Sequence, residues 1–293
     1  MSAREPVAAP ATNTGRVMLE QLGITLGRGE QRIDAVRTVD VVIEPGEFVC
    51  IIGPSGCGKS TLLGVLAGHI APSAGRATLD GEHIDGPHPD RGIVFQHHTL
   101  LPWRTTLDNV AFGLKMKGVS KRERHRRARL LLERVGLAGV ADRYPAQLSG
   151  GMQQRAEIAR AMINRPRILL MDEPFGALDA QTRGMMQALL LDVWSEHRQS
   201  VVFVTHDIDE ALFLADRILV MSAGPGTIIE DIRVPFARPR ERDEAHDLVT
   251  EPAFVALKKH CLTLLRHNAP IHPVARLNPL GDIRIPTSAG SAL

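Results

Sequence analysis

Five consecutive apolar residues, Phe48-Val49-Cys50-Ile51-Ile52, run directly into Gly53-Pro54-Ser55-Gly56-Cys57-Gly58-Lys59-Ser60-Thr61, and a helical pattern from Leu62 to Leu66 follows. This juncture constrains the fold of the 293-residue chain more than any other feature. A strand without alternation of polar and apolar positions is buried on both faces, the condition of a parallel sheet covered by helices. The loop carries the full G-x-x-x-x-G-K-[ST] pattern. Its glycines let backbone N–H groups turn inward around phosphate, the helix N-terminus adds a favourable field, and Lys59 supplies a mobile positive charge for the outer phosphates. Ser60 can ligate magnesium through its hydroxyl, while Thr61 can donate to a phosphate oxygen. The bland alternative is a Gly-rich turn with a surface lysine, and the strand before and helix after it argue against that.

Other short apolar runs extend the sheet. Strands are expected at Gly92 to Phe95, Ile168 to Met171, Val201 to Thr205 and Arg217 to Met221, with a further hairpin strand at Thr227 to Ile232. The helical stretch from about Asp179 to Glu196 fits a crossover between parallel strands. Upstream, strands at Val17-Met18-Leu19 and Val39 to Ile43 flank a turn containing Gly27 and Gly29. Residues 106–164 break the alternation with successive helical segments and no good strand. Within them Ser120 and Glu123 form a capping box for the helix through Leu131, Leu132 and Val135, and Gly136 stops it. The basic stretch from Lys121 to Arg129 reads as a charged outer helix face, since neither interleaved aromatics nor a recognition motif supports nucleic-acid binding. Residues 1–16 lack any period and read as a disordered tail. From residue 236 the composition shifts toward Pro, Arg, Glu and Asp. A short helix near Ala253 to Leu265, with Leu257, Cys261 and Leu264 inward, then leads to a flexible tail.

Composition enters as an exclusion. The formal charge of +2 gives no general case for nucleic-acid or membrane-surface binding. Three cysteines, Cys50, Cys57 and Cys261, make no even disulfide framework and favour a reducing compartment. No stretch approaches the apolar length of a spanning helix, so a membrane role is expected through a partner.

The run Ile168-Leu169-Leu170-Met171-Asp172-Glu173 ends a buried strand in two carboxylates, which a metal or another cation must face if they are to stay charged. Asp172 fits a magnesium shell. Glu173 fits a base that polarises an attacking water, because phosphoryl transfer to water needs positioning and charge compensation. Leu148-Ser149-Gly150-Gly151-Met152-Gln153-Gln154-Arg155 sets Ser149 and two glycine N–H groups ahead of a helix, a second anion-binding terminus or simply a helix cap.

With these motifs in this order, residues 18 to 232 resemble the ATP-binding subunit of ATP-binding-cassette transporters. The resemblance implies an α/β P-loop NTPase cassette: a mostly parallel core sheet, an antiparallel β subdomain and an inserted helical subdomain. The cassette occupies residues 17–235, its helical part about 106–164, and 236–293 form an extension. Implied roles follow the family's pattern. ATP and Mg2+ are the cofactors. Gln96 matches the glutamine loop that helps coordinate magnesium and water, and His206 matches the switch histidine at the terminal phosphate. Ser149, Gly150 and Gly151 face the phosphate held by an opposite subunit. Asp179, in Gly176-Ala177-Leu178-Asp179, serves intersubunit geometry or caps the helix from Ala180. One departure stands out: no aromatic residue lies between Met1 and Glu47, so Leu26 takes about the place of the ring that stacks on adenine in many relatives.

Phe95-Gln96-His97-His98-Thr99-Leu100-Leu101-Pro102-Trp103-Arg104, with Asp108 to Leu114 and Gly86-Pro87 ahead of Asp90-Arg91-Gly92, resembles the nitrate, sulfonate and taurine importer branch. That implies a second, identical ATP-binding subunit, two transmembrane permease subunits and an extracytoplasmic substrate-binding protein. The chain would then sit peripherally at the cytoplasmic face of a bacterial inner or plasma membrane. Residues 97–114 are the expected dock for the permease, with Trp103 either exposed there or covering the helical subdomain. Taurine is the first expectation for substrate, nitrate or an aliphatic sulfonate the alternative. A soluble cassette ATPase acting on nucleic acid would call for a second cassette or a long insertion, and only one motif set is present.

Overall fold

A computed structural model describes residues 14–27, 29, 32–176, 178–236 and 248–268. Two sheets organise them. The smaller is antiparallel in the order β2-β1-β4-β5, built from β1 (Val17–Leu26), β2 (Ile33–Ile43), β4 (Ala74–Leu79) and β5 (Glu82–His83). The larger has the order β10-β9-β3-β8-β7-β6, from β3 (Phe48–Ile52), β6 (Arg91–Val94), β7 (Ile168–Asp172), β8 (Ser200–Val204), β9 (Arg217–Met221) and β10 (Ile228–Arg233). All its neighbours are parallel except β10 against β9.

The uninterrupted apolar runs have a direct structural cause. Side chains alternate across a strand, so a run buried throughout must feed two cores. Phe48, Cys50 and Ile52 join Leu169, Met171, Val201, Phe203, Ile218 and Val220 on one face. Val49, Ile51, Leu170, Val202, Val204 and Leu219 enter the other. Helix α1 (Lys59–Ala67) covers the second face with Leu62, Leu63, Val65 and Leu66, and β1 and β2 share that core. On the first face lie α6 (Ala180–His197), α7 (Ile208–Leu214) and α8 (Pro252–His267). Trp194 of α6 meets Phe48 edge to face at 5.6 Å and donates its indole N–H to Gln199 O at 2.7 Å. Each such large apolar side chain contributes about 1.5–3 kcal/mol on burial.

The helical insertion has its own core. It comprises α2 (Thr106–Val110), α3 (Phe112–Met116), α4 (Lys121–Arg134) and α5 (Gly150–Met162), with 3-10 turns at Ala138–Val140 and Pro145–Gln147. Leu107, Val110, Leu114, Leu132, Val135 and Ala156 meet in a third cluster. The exposed basic face of α4 is as expected, but its capping box is only half made. Ser120 Oγ accepts from Glu123 N at 3.4 Å, whereas the Glu123 carboxylate turns to Arg126 and Arg127, which hold it down at about 2.

Two further expectations change, and a third, the inward face of Leu257, Cys261 and Leu264, gains a residue. Strands β4 and β5 lie where no apolar run suggested them. The N-terminal tail does not extend to residue 16: Gly15 and Arg16 donate backbone N–H groups to Asp80 Oδ1 at 2.7 and 2.8 Å, and Gly15 O accepts from Ser200 Oγ at 2.6 Å. Phe254, 1 % exposed and stacked on Phe236, joins Cys261 as the buried anchor of α8, ahead of Leu257 and Leu264. The expected tails at 1–13 and 269–293 lie outside the described residues, as does the stretch 237–247. No helix among the described residues is long and apolar enough to cross a membrane.

Candidate active site

The carboxyl ends of β3, β7, β8 and β6 point the same way, and the candidate residues leave the sheet there. Lys59 opens α1. Asp172 ends β7 with Glu173 just beyond; Thr205 and His206 follow β8, and Gln96 follows β6. In open α/β sheets this edge is where ligands bind.

A cavity of about 640 Å³ lies over the loop, lined by Ser55, Gly56, Gly58, Lys59, Ser60, Thr61 and Glu173 and, from the antiparallel sheet, by Leu26, Ile33, Asp34, Ala35 and Arg37. Gly53, Pro54 and Cys57 do not line it and instead contact the Lys59 ammonium. The Lys59 ammonium, nearly buried, donates to Gly53 O and Pro54 O at 2.9 Å each, and Cys57 Sγ lies 3.9 Å from it. Burial pushes the Cys57 thiol up despite the lysine beside it. Two glycines are obligatory for close approach. A Cβ on Gly58, where φ is 99°, would meet Ala35 O at 2.6 Å, and one on Gly226 would meet Cys57 O at 1.9 Å. Gly226 also donates to Ala35 O and accepts from Arg37 N, which ties β2 to the loop. Sequence reasoning passed over Ile33 and Gly226; the Gly224-Pro225-Gly226 turn was the available signal for the second.

The two carboxylates differ. Asp172 Oδ1 accepts from Ser60 Oγ at 3.0 Å, and burial, then the charge of Glu173, raises its carboxyl above the ordinary range against the pull of Ser60 and Lys59. Glu173 sits at φ 43°, a left-handed conformation costing a non-glycine residue about 1–2 kcal/mol. Its N–H is held by Val204 O at 2.9 Å. Glu173 Oε2 accepts from Gln96 Nε2 at 3.3 Å and lies 3.2 Å from His206 Nδ1, a hydrogen bond when that nitrogen carries the proton. Three strand ends therefore converge on one oxygen. Asp207, unremarked in the sequence, braces the histidine: it caps α7 through Asp209 N and Glu210 N and pairs with Arg183 of α6 at 3.0 Å.

Ser149, Gly150, Gly151 and Asp179 are elsewhere. With Gln96, His98 and Thr182 they line a second cavity of about 630 Å³ between the helical insertion and α6, sharing no residue with the first. Ser149 caps α5 by accepting from Met152 N at 3.4 Å. Asp179 caps α6, accepting from Thr182 Oγ1 at 2.7 Å and Thr182 N at 3.0 Å, and these bonds hold its carboxyl below the usual range. Ala177 of the same loop lies outside the described residues. Trp103 is 70 % exposed and so does not cover the helical insertion. Its loop is nonetheless fixed. Asn109, fully buried, donates to Leu101 O, Arg104 O and Thr105 O and accepts from Leu101 N at 2.7 Å.

Comparisons with known proteins bear on the family and the fold. The family described as ABC transporter matches residues 36–176. A taurine import ATP-binding protein of Chromobacterium violaceum is 49% identical over 80% of this chain and 90% of its own length. The nitrate import ATP-binding protein of Synechococcus elongatus is 44% identical over 90% of this chain and 97% of its own. Among solved structures, a dimeric ATP-binding cassette in a post-hydrolysis state with ADP and phosphate superposes with a TM-score of 0.67 at 36% identity, over 75% of this chain and all of that one. A cassette from Clostridium perfringens, part of the cbiONQ ABC transporter complex, gives 0.68 at 26% identity, over 86% of this chain and 96% of that one.

Proposed function

The chain belongs to the ABC transporter family as an ATP-binding, ATP-hydrolysing subunit of the nitrate, sulfonate and taurine importer branch, and from that premise we propose that it energises taurine import through a separate membrane permease. The observation that carries the chemistry is the convergence of Gln96 and His206 on Glu173 Oε2. Glu173 Oε1, without a hydrogen bond among the described residues, is left to take a proton from the attacking water. Lys59 and the N–H groups of the loop hold the outer phosphates, with Thr61 donating to one oxygen. Gln96 and His206 fix the carboxylate, and His206 reaches the terminal phosphate.

Magnesium fits the donor set. Ser60 Oγ and Asp172 Oδ1 stand together as hard oxygen ligands, and burial, with the charge of Glu173, raises the Asp172 carboxyl, so that a cation there would favour its charged form. Magnesium is usually bound through one or two carboxylates plus substrate phosphates, and Asp172 would be the carboxylate here. Gln96 is the third residue assigned to it. The ion supplies charge neutralisation on the phosphates.

The separation of the two cavities supports a working dimer in which Ser149, Gly150 and Gly151 of one copy complete the site of an identical second copy, with Asp179 setting the contact between them. Residues 17–235 form the cassette, about 106–164 its helical subdomain, and 236–293 an extension. Trp103 and its loop contact one of two permease subunits, which places the chain peripherally at the cytoplasmic membrane face. A substrate-binding protein outside delivers the solute. Taurine is favoured by identities of 45–49% to taurine import relatives. Nitrate is the second reading, because the cyanobacterial nitrate relative aligns further along the chain, over 268 residues. Reconstitution with the permease and binding protein in liposomes tests the assignment. ATP-dependent taurine accumulation is expected; nitrate or alkanesulfonate uptake without taurine uptake would reassign the substrate, and no uptake of any of them would remove the branch-level role.

A further inference from the structure

The loop that follows Gln96 is fastened to the helix that begins at Ser149. Thr99 lies between Gln96 and Trp103 in sequence. Its N–H and its Oγ1 both reach Glu157 Oε1 on α5, the hydroxyl at 3.1 Å. Arg160, one turn further along α5, donates to Thr99 O at 2.7 Å and to Thr99 Oγ1. Both backbone polar groups of Thr99 are thus held by side chains of one helix.

Glu157 has no packing reason to be acidic. It is 1 % exposed, among the buried apolar residues Ala156, Ile158, Ala159 and Ala161. Burying a carboxylate is costly unless its neighbours compensate it. Here the compensation comes from the loop, the Arg160 guanidinium at 3.8 Å and the His98 ring at 3.6 Å. Glu157 Oε2, buried without a hydrogen-bond partner, faces that ring.

We propose that Glu157 and Arg160 are positioning residues that convert movement of the 97–104 loop into movement of Ser149, Gly150 and Gly151. Eight residues of rigid helix, about 12 Å, separate Glu157 from Ser149. On the other flank Asn109 locks Leu101 and Arg104, so the loop has little freedom to yield before α5 follows. The proposal rests on the reading of Trp103 and its loop as the permease contact.

The test uses the full chain carrying Glu157→Ala or Glu157→Gln, alone and assembled with the permease. Amide hydrogen exchange of the isolated subunit reads the clamp directly: Thr99 N–H is expected to exchange at least about tenfold faster in the alanine variant. Basal hydrolysis stays within about twofold of wild type, while its stimulation by the permease falls several-fold and assembly persists. Glutamine, which keeps the shape and one acceptor oxygen, gives smaller changes in the same direction and stands in if the alanine variant does not fold. Unchanged exchange overturns the clamp. Faster exchange with undiminished stimulation overturns its transmitting role. Trp103→Ala separates the two readings: intact assembly and stimulation there, with stimulation lost in the Glu157 variant, moves the permease contact elsewhere and keeps the clamp.

Discussion

Glu173→Gln isolates proton acceptance from the rest of the site. The main chain of Glu173 is fixed by its bond to Val204 O and by a left-handed φ of 43°, neither of which depends on the carboxylate. Glutamine keeps the length and one oxygen. With that oxygen turned toward Gln96 Nε2 and His206 Nδ1, both contacts, at 3.3 and 3.2 Å, survive. Backbone strain is common to both residues and cancels, so the melting temperature is expected within about 2 °C of wild type. The loss is confined to the basic oxygen that receives the water proton. General-base contributions run from about 10² to 10⁴, equivalent to about 2.7–5.5 kcal/mol of barrier. Phosphate release at saturating ATP should fall by that factor while equilibrium ATP binding is retained, and the ATP-bound variant should accumulate as a dimer in size-exclusion chromatography. Hydrolysis within about threefold of wild type would refute Glu173 as the base. Loss of ATP binding together with hydrolysis would refute the independence of the phosphate cradle.

Leu26 and Ile33 are cross-strand partners at the rim of the nucleotide cavity. A tyrosine at position 26 that stacks on the base is expected to gain about 1–3 kcal/mol, roughly 5 to 150-fold in ATP affinity by equilibrium binding, with little discrimination between ATP and GTP in wild type. Trp103→Ala should impair assembly with the permease, measured by co-purification, and leave hydrolysis by the isolated subunit unchanged. Asp172→Asn tests the raised carboxyl. A group whose folded pKa is raised gives stability at low pH that is lost as pH rises through the folded value. The asparagine variant should therefore melt higher than wild type near neutral pH without divalent cations, and the difference should vanish once the medium is acid enough to protonate Asp172; a higher melting wild type at neutral pH would sink the argument.

The residues proposed to handle phosphate, magnesium and water were legible because their chemistry has no structural substitute at those places. Lys59 after a glycine loop, and Asp172 and Glu173 at the end of an apolar strand, carry charge where burial alone would exclude it. The buried strands were legible for the same reason in reverse, since β3, β7, β8 and β9 each feed two cores. Strand β4 was not: Ala74–Leu79 begins exposed, includes Gly75 and Arg76, and buries only Ala77, Thr78 and Leu79 against β1. The split of the site into two cavities was not visible in residue order alone, because Asp179 follows Glu173 closely in the chain but lines the other, neighbouring cavity. Glu157 was hidden among alanines on α5; only the fold brings Thr99 against it.

The proposed base and phosphate contacts lie on different elements, which would let the chain lack an adenine-stacking ring and keep its phosphate-handling groups. Leu26, Ile33, Asp34 and Arg37 come from β1 and β2, while Lys59, Ser60 and Thr61 open α1 behind β3 and Glu173 follows β7 of the parallel sheet. The sheets meet where Gly58 and Gly226 press backbone on backbone against Ala35 and Cys57, contacts too close for any side chain. Leu26, by contrast, is 40 % exposed at a strand end and lies outside the buried clusters. Substitution at the rim changes an energy of a few kcal/mol and leaves the loop in place. Substitution at the glycine seam moves the loop itself. Variation among cassettes that bind the same phosphates should therefore collect at positions such as Leu26 and Ile33, and the geometry of the seam gives the physical reason.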